Sequence, residues 1–524
     1  MFHFCISRGD IATGRAWTWT GGRWHCGSSW IEPYRHTLTE QIALTDGIRT
    51  VFVSAARKTG APSGRPEPTP VSPGDYDRAL RRLREDRDDW TAIEVTDAHT
   101  VVSTGTACTA PQYLATSTDA LHGSWDLLDL RDHQHPDRVD HIAITRHLAL
   151  RNRYSASTFW QDIRLLTERA TARFGPEGPL VIQFPEPAEH SRARSLQDGN
   201  DPVPLFQDLL DLSVSRAPWR GSRTAVQLSG GMDSTVVSLA LRTAPQGAGV
   251  TAGTVVLDHE RGTQQNERRR LILDYIASGW SGLTVHALDH LPYGPSSRFS
   301  RTGWISPTTD IYGDALDTLS DRFADRGIDA VFSGIGGDEL MAVTAAEDRE
   351  GRHGFEPEIP PWLGPVARGA LKDVNTVITP AAVVPETALM AKTVCGPAFL
   401  RRGLWPIHPL TDPVLVRFCE WLPVEWRDRK RLMREIIGRT GMPHQVARPP
   451  LAENFQQVIT LAMRRNGAPR LRKILAEGSP LIEAGLLDPV GLAHVASRLE
   501  GDKATAGDHE VVFALLVDSA LTCR

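Results

Sequence analysis

Cysteine is sparse and scattered along this chain: six in 524 residues, at Cys5, Cys26, Cys108, Cys395, Cys419 and Cys523, with no C-x-x-C pair. That spacing argues against a disulfide framework or a zinc ribbon and suits a reducing cytosol. Long apolar runs are missing too, and none reaches the length of a bilayer span. Met1-Phe2-His3-Phe4-Cys5 lacks the basic region and apolar stretch of a secretory signal. Charge of one sign is not in excess: 58 Lys and Arg against 63 Asp and Glu leave a net −5. The expectation is a cytoplasmic protein with neither nucleic acid nor membrane among its partners.

What is present is ordinary globular composition, 41% hydrophobic and 23% charged, in a chain too long for one core. Residues 1–190 read as a β-rich domain. Thr50-Val51-Phe52-Val53-Ser54 and Ala92-Ile93-Glu94-Val95-Thr96 are β-branched or aromatic runs between glycine turns. The prolines of 56–75 predict an unpaired loop, 143–174 predicts a helical patch, and 186–203 a polar linker. Residues 204–524 form the second domain. Short apolar runs at Thr224–Leu228, Gly253–Leu257, Leu283–Leu288 and Ala330–Phe332 alternate there with helical patterns, Leu316, Leu319 and Phe323 marking one buried helix face. Alternation of this kind predicts an α/β fold with a parallel sheet covered on both faces. Beyond about 340 the pattern is helical, with a polar, proline-bearing loop expected over 345–366 near the site.

Two glycine motifs carry the chemistry. Val226-Gln227-Leu228-Ser229-Gly230-Gly231-Met232-Asp233-Ser234-Thr235 is a strand, a glycine turn and a helix start, which aims backbone N–H groups and a positive helix end at one spot. It lacks the lysine of a Walker loop, which excludes a P-loop kinase or GTPase. Ser-Gly-Gly-x-Asp-Ser instead resembles the pyrophosphate loop of ATP pyrophosphatases, enzymes that split ATP into AMP and pyrophosphate. Val331-Phe332-Ser333-Gly334-Ile335-Gly336-Gly337-Asp338-Glu339-Leu340 repeats the device. Each motif delivers a carboxylate, Asp233 or Asp338, to the carboxyl edge of the sheet, where ligands of such sheets bind. Two carboxylates across a phosphate site suit Mg²⁺, with phosphate oxygens and water completing the shell.

With both motifs in hand, the chain resembles the asparagine synthetase C-domain family of adenylating amide-forming enzymes, and within it the lasso peptide macrocyclases. Further stretches carry the resemblance: Gly123-Ser124-Trp125-Asp126-Leu127-Leu128-Asp129-Leu130, Arg153-Tyr154-Ser155-Ala156-Ser157-Thr158-Phe159, Arg192-Ala193-Arg194-Ser195-Leu196, His408-Pro409-Leu410-Thr411-Asp412-Pro413 and Lys430-x-x-x-Arg434. The resemblance implies a glutaminase-like (Ntn-type α+β) first domain lacking its nucleophile. It implies an adenine-nucleotide α-hydrolase-like synthetase domain with a helical extension behind it. It implies ATP and Mg²⁺ as cofactors, with Ser229, Gly230, Gly231 and Ser234 at the pyrophosphate, Asp233 and Asp338 on the metal, and Leu228, Val256, Ser333 and Gly334 at the nucleoside. The partners implied are a lasso precursor or core peptide, a leader peptidase and a leader-recognition protein. The reaction implied is adenylation of an Asp or Glu side chain of the core peptide, then attack by the peptide's N-terminal amine to close a macrolactam.

Three positions depart from the family pattern. Glutamine-using members begin Met-Cys, whereas position 2 here is Phe2, so the amine must come from the substrate itself. Relatives often carry an ionisable residue between the glycines of the second motif, and Ile335 moves no proton. A family lysine two residues beyond the position of Arg448 is replaced by Pro450, so that charge near the reacting phosphate is either absent or supplied by Lys430, Arg434 or Arg448; Lys430 is the favoured candidate, its alternative being a solvated helix lysine. The competing readings are a β-lactam synthetase-like or asparagine synthetase-like small-molecule enzyme, an inactive homologue, and a non-catalytic ATP-binding partner of a peptide-processing complex. Other candidates read blandly: His408 as a packed histidine with catalysis as its alternative, His286 as structural, Arg268-Arg269-Arg270 as the wet face of a helix, and Trp405 and Trp421 as core within helical surroundings.

Overall fold

The computed structural model describes the chain apart from residues 12, 14–15, 61–65, 198, 277–278, 296, 301–304, 345–346, 348–357, 452–453, 502 and 523–524. The first third is built on two stacked seven-stranded sheets. Phe2–Ser7 runs in the middle of one, antiparallel to Ala120–Ser124 and Ser29–Pro33. Thr50–Ala56 lies within the other, between Thr39–Thr45 and Trp90–Val95. Alternation along Phe2–Ser7 sends Phe2, Phe4 and Ile6 into the layer between the sheets, where they meet Trp24, Phe52 and Ile93. The Thr50–Ala56 strand is buried on both faces, because Val51, Val53 and Ala55 pack under the helix Pro73–Asp86 through Tyr76 and Leu83.

Three local expectations are corrected here. The helix within 143–174 is only His141–Leu148, started by Asp140, whose carboxylate accepts from Ile142 and Ala143 N. Leu150 then adopts a positive φ of 54°, and Ile163–Leu166 and Thr171–Phe174 become strands at the ends of pairing partners Gln112–Ala115 and Thr100–Ser103. Sheet pairing overrides helical spacing at that point. In 56–75 the prolines do not prevent all pairing: Thr69 and Pro70 lie parallel to Leu44 and Thr45 on a sheet edge, where a missing N–H is tolerated. Trp405 lies in a strand, not a helix. Of the loop expected over 345–366, residues 345–346 and 348–357 fall outside the described residues, while Trp362 and Leu363 are fully buried.

The second part is organised by a five-stranded parallel sheet in the order Ser281–His286, Thr251–Val256, Thr224–Gln227, Ala330–Phe332, Trp405–Ile407. Four of these strands match the apolar runs; the fifth, a three-residue Trp-Pro-Ile, was invisible to periodicity. The chain leaves Thr224–Gln227 toward one side and returns at Ala330–Phe332 on the other, so the strand order reverses between these two. A crevice opens at the carboxyl ends of strands at such a reversal. The helix Gly313–Asp325 covers the sheet with Leu319 and Phe323, and Phe323 packs so closely on Gly253 that a Cβ there would lie 2.2 Å from its ring. Helices Pro202–Ser215, Met232–Thr243 and Arg431–Arg439 pack on the opposite face. Among the described residues no helix is long and apolar enough to cross a membrane.

Candidate nucleotide and metal site

Both glycine motifs emerge at the reversal point, and each turn depends on backbone that only glycine adopts freely. Gly230 has φ 89° and Gly336 φ 100°. The two loops then interlock. A Cβ on Gly337 would sit 2.2 Å from Asp233 Cγ, and one on Gly334 3.0 Å from Asp233 Cβ. Glycine at these positions is what lets the second loop approach the Asp233 carboxylate. Behind the first loop, Gly230 lies against the helix His259–Ile276, 3.2 Å from the Gln265 carbonyl by the same measure.

That helix corrects one expectation. Of the triplet expected to be solvated, Arg268 and Arg269 are buried and only Arg270 faces water, paired with Glu267 and Asp274. Arg269 Nε donates to the Leu228 carbonyl at 2.7 Å and its guanidinium reaches the Ala252 carbonyl at 3.3 Å. The buried guanidinium thus supplies donors to a carbonyl just past the strand Thr224–Gln227 and to one within Thr251–Val256. Burial lowers its pKa to about 10.

Asp233 and Asp338 meet at one cation. Lys430 Nζ lies 2.7 Å from both Asp233 oxygens and 2.7 Å from Asp338 Oδ1. Burial pushes the Asp233 carboxyl above its usual range, and the ammonium only partly offsets this. Burial works the other way on Lys430, but the two carboxylates prevail and hold its ammonium above the usual value. Lys430 is carried by an unusual backbone: it and Arg429 are both left-handed, with φ 55° and 48°. Two successive non-glycine residues in this region each cost about 1–3 kcal/mol, strain that persists where the surroundings enforce it and that clusters at functional sites. One helical turn on, Arg434 is depressed by burial and then by repulsion from Arg448 and Arg429, and its Nε has no partner among the described residues. The structure therefore brings Arg434, on the helix Arg431–Arg439, near Arg448, which ends the helix His444–Ala447. Such a pair of guanidinium groups suits an anion with several oxygens.

A cavity of about 400 Å³ lies at this junction, lined by Ser229, Gly231, Asp233, Ser234, Ser333, Gly334 and Asp338. Leu228 and Val256 lie elsewhere: both are fully buried behind it, and Thr254 and Val255 form the wall instead. Gly230 turns the chain without lining it. Sequence reasoning missed Gln227, Leu316 and Ala391 on the wall, since neither motif nor spacing distinguishes them from core. His408 is packed. Its Nδ1 lies 2.7 Å from Ser333 Oγ, which also accepts from Ile335 N, and burial keeps the ring well below its usual pKa. It therefore orients Ser333 as a neutral ring. His286, at the end of its strand, is exposed, and Trp421 is half-exposed with Arg194 stacked on it at 4.7 Å.

The donor set fits Mg²⁺ bound together with phosphate. Two carboxylates converge, whereas no cluster of three or more His, Cys, Asp or Glu that could hold a metal by itself occurs among the described residues. Mg²⁺ typically takes one or two carboxylates and completes its shell with phosphate oxygens and water. Asp233 and Asp338 would hold it, and it would neutralise charge on the triphosphate.

The comparison with curated proteins gives no match. Among solved structures, the chain is similar to the U34-tRNA thiolase NcsA from Methanococcus maripaludis with its 4Fe-4S cluster, at 14% identity over 57% of this chain and 79% of that one, with a TM-score of 0.26, too low to carry any statement. Residues 205–393 match the family model of asparagine synthase, which supports an asparagine synthetase-like family and ATP-dependent amide or adenylation chemistry for that part of the chain.

Proposed function

We propose that this protein is an AMP-forming ATP-dependent amide ligase that closes a macrolactam ring on a lasso core peptide. The observation that carries the ligase reading is the convergence of Asp233 and Asp338, from two glycine loops at the sheet's reversal point, on Lys430. An unactivated carboxylate does not acylate an amine in water, so a phosphate leaving group must first be installed. The substrate carboxylate attacks the α-phosphorus of ATP, pyrophosphate leaves and an acyl-adenylate forms. The peptide's amine then displaces AMP.

The chain's own residues position and stabilise charge. The N–H groups after Ser229 and the start of the helix Met232–Thr243 face the phosphates. Lys430 exchanges the two carboxylates for phosphate oxygens as triphosphate enters, and Arg434 and Arg448 supply the positive field that the missing lysine at Pro450 would have given. Phe2 is fully buried between the sheets, packed as core, and in this reading the amine is drawn from the substrate. The first domain is then an Ntn-type glutaminase relic, used for structure or peptide binding, and a leader peptidase and a leader-recognition protein deliver the cytoplasmic core peptide.

Peptide size supports this reading over a small ring. Beside the 400 Å³ cavity lie two more, of about 410 and 490 Å³, which share Thr309, Asp310, Ala391, Thr393 and Val394 between their walls. With the nucleotide in its own cavity, these two still leave space near the upper end of the roughly 300–1,000 Å³ typical of small-molecule pockets. The test is mass spectrometry of the purified protein with Mg²⁺, ATP and the leaderless core peptide encoded beside its gene. A peptide lighter by one water, formed with AMP and lost in Asp233→Ala, is expected. AMP release with no change in peptide mass would overturn the peptide substrate, and neither product, with the peptidase present, would overturn the ligase reading.

A further inference from the structure

The second motif leaves the site without a base, since Ile335 stands where a proton carrier would be useful. Ile335 and Gln227 form a wall common to the nucleotide cavity and the 410 Å³ cavity beside it. Among the described residues, every charged side chain lining that second cavity is paired, save one. Asp126 is gripped by Arg401 through two bonds of 2.5 and 2.6 Å. Arg298 is held by Asp314 and Asp317.

Asp310 is the exception. It lines both this cavity and the outer one of 490 Å³. Its Oδ1 accepts from Tyr312 N at 2.9 Å, and no described residue bonds Oδ2 or forms an ion pair with it. The cation that acts on it is Arg298, already shared by two other carboxylates. Burial raises its carboxyl above the usual range, yet the side chain keeps surface on the cavity side. The charged groups of the outer cavity offer it no partner: Arg146 donates to the carbonyls of Val374 and Thr376, Arg153 bonds Asn375 and Glu386, and the buried His147 is held neutral with a pKa of about 4. A buried carboxylate without a cation is costly unless a ligand brings one.

We propose that Asp310 is the docking group and general base for the attacking amine: it binds the primary ammonium of the substrate in the cavity next to the acyl-adenylate and takes its proton. This rests on the ligase reading above and deepens it. The step balances as follows. The ammonium gives one proton to Asp310 Oδ2. The freed lone pair forms the N–C bond, the C–O bond to phosphate breaks with its electron pair going to AMP, and the second proton of the nitrogen leaves on a phosphate oxygen of AMP. The substrate class follows: the acceptor is a primary amine, tethered to the activated carboxylate by a chain long enough to fill the two outer cavities.

The experiment uses Asp310→Asn, whose amide oxygen still accepts from Tyr312 N, so the turn survives and only the charge is lost. Probes are the leaderless core peptide and its N-acetylated form. In the variant, half-maximal ATP–pyrophosphate exchange should require more peptide, while the maximal exchange rate at saturating peptide stays within about threefold of wild type and amide formation at saturation falls by about 10²–10⁴, the span of general acid–base catalysis. Added hydroxylamine, neutral at working pH and needing no base, should capture the adenylate equally in both proteins. Acetylation should weaken peptide binding to wild type but not to the variant. Amide formation at the wild-type rate in Asp310→Asn would overturn the assignment, as would equal loss of exchange and amide. Absence of peptide-dependent exchange in the wild type would overturn the peptide reading itself, and the Asp310 assignment with it.

Discussion

Lys430 occupies the place where a divalent cation would be held, and this has a measurable consequence. Its Nζ is 2.7 Å from Asp233 and from Asp338, with side-chain exposures of 17% for Lys430, 19% for Asp233 and 84% for Asp338. The Asp338 contact is screened by water and contributes at most about 1 kcal/mol. The Asp233 contact is partly buried. At an effective dielectric of about 20, a pair at such separations attracts by about 4 kcal/mol, and removing one partner of a buried pair costs about 3–5 kcal/mol. A metal binding without nucleotide must displace this ammonium. At about 1.4 kcal/mol per tenfold in affinity, the competition weakens the metal by two to three orders of magnitude. Replacing Lys430 with Met removes the competitor at similar length. Mn²⁺ binding followed by electron paramagnetic resonance, in the absence of ATP, should be about 10²- to 10³-fold tighter in the variant. With ATP present the difference should shrink, because the ammonium then has phosphate oxygens to bind. Equal Mn²⁺ affinities, within about threefold, would refute the idea that lysine and metal share one place.

Three further outcomes follow from the same geometry. Gly337→Ala puts a methyl group 2.2 Å from Asp233 Cγ; the carboxylate must move, and pyrophosphate exchange should fall at least about 10²-fold, the usual result of a misplacement near 1 Å, while circular dichroism stays unchanged. Arg269→Met strips donors from the Leu228 and Ala252 carbonyls; at about 1.5–3 kcal/mol for a charged hydrogen bond, the melting temperature should fall and the KM for ATP rise about tenfold. His147 is held by burial to a pKa of about 4, against 6.5 when free. Its folded-state pKa is depressed, so below 6.5 the unfolded chain binds the proton more readily and stability drops as pH falls from 6.5 to 4. The loss reaches about 3 kcal/mol, and His147→Phe, placed between Phe159 and Phe513, should remove it in urea melts recorded across that range.

Much of the parallel sheet was legible because its central strands are buried on both faces and stand out as short apolar runs between helical patterns. The strand at Trp405–Ile407 was not, since three residues carry no period. The first-domain strands at Ile163–Leu166 and Thr171–Phe174 were hidden for a different reason. Their pairing is decided by residues some 50 to 70 positions earlier, as in the registers Gln112↔Leu166 and Thr171↔Ser103. In the site, the two glycine loops identify themselves because glycine is required by close approach as well as by positive φ. That Gly337 and Asp233 touch could not be read, since contact between motifs more than a hundred residues apart is a property of topology. Arg268 and Arg269 were misread because arginine is usually solvated; their burial goes with the carbonyls they bond, Val446 for Arg268 and Leu228 and Ala252 for Arg269. Asp310 gave no signal at all. A carboxylate in a Thr-Asp-Ile turn is unremarkable until the structure sets it among arginines already bonded to other groups.

The central claim is that a substrate carboxylate is activated by attack on the α-phosphorus of ATP. It is tested most directly with a core peptide whose side-chain carboxylate carries ¹⁸O, incubated with the protein, Mg²⁺ and ATP and followed by mass spectrometry of the nucleotide. The account predicts AMP bearing one ¹⁸O, formed in step with the dehydrated peptide. Label in inorganic phosphate with ADP as the nucleotide product, or AMP without label, would contradict it.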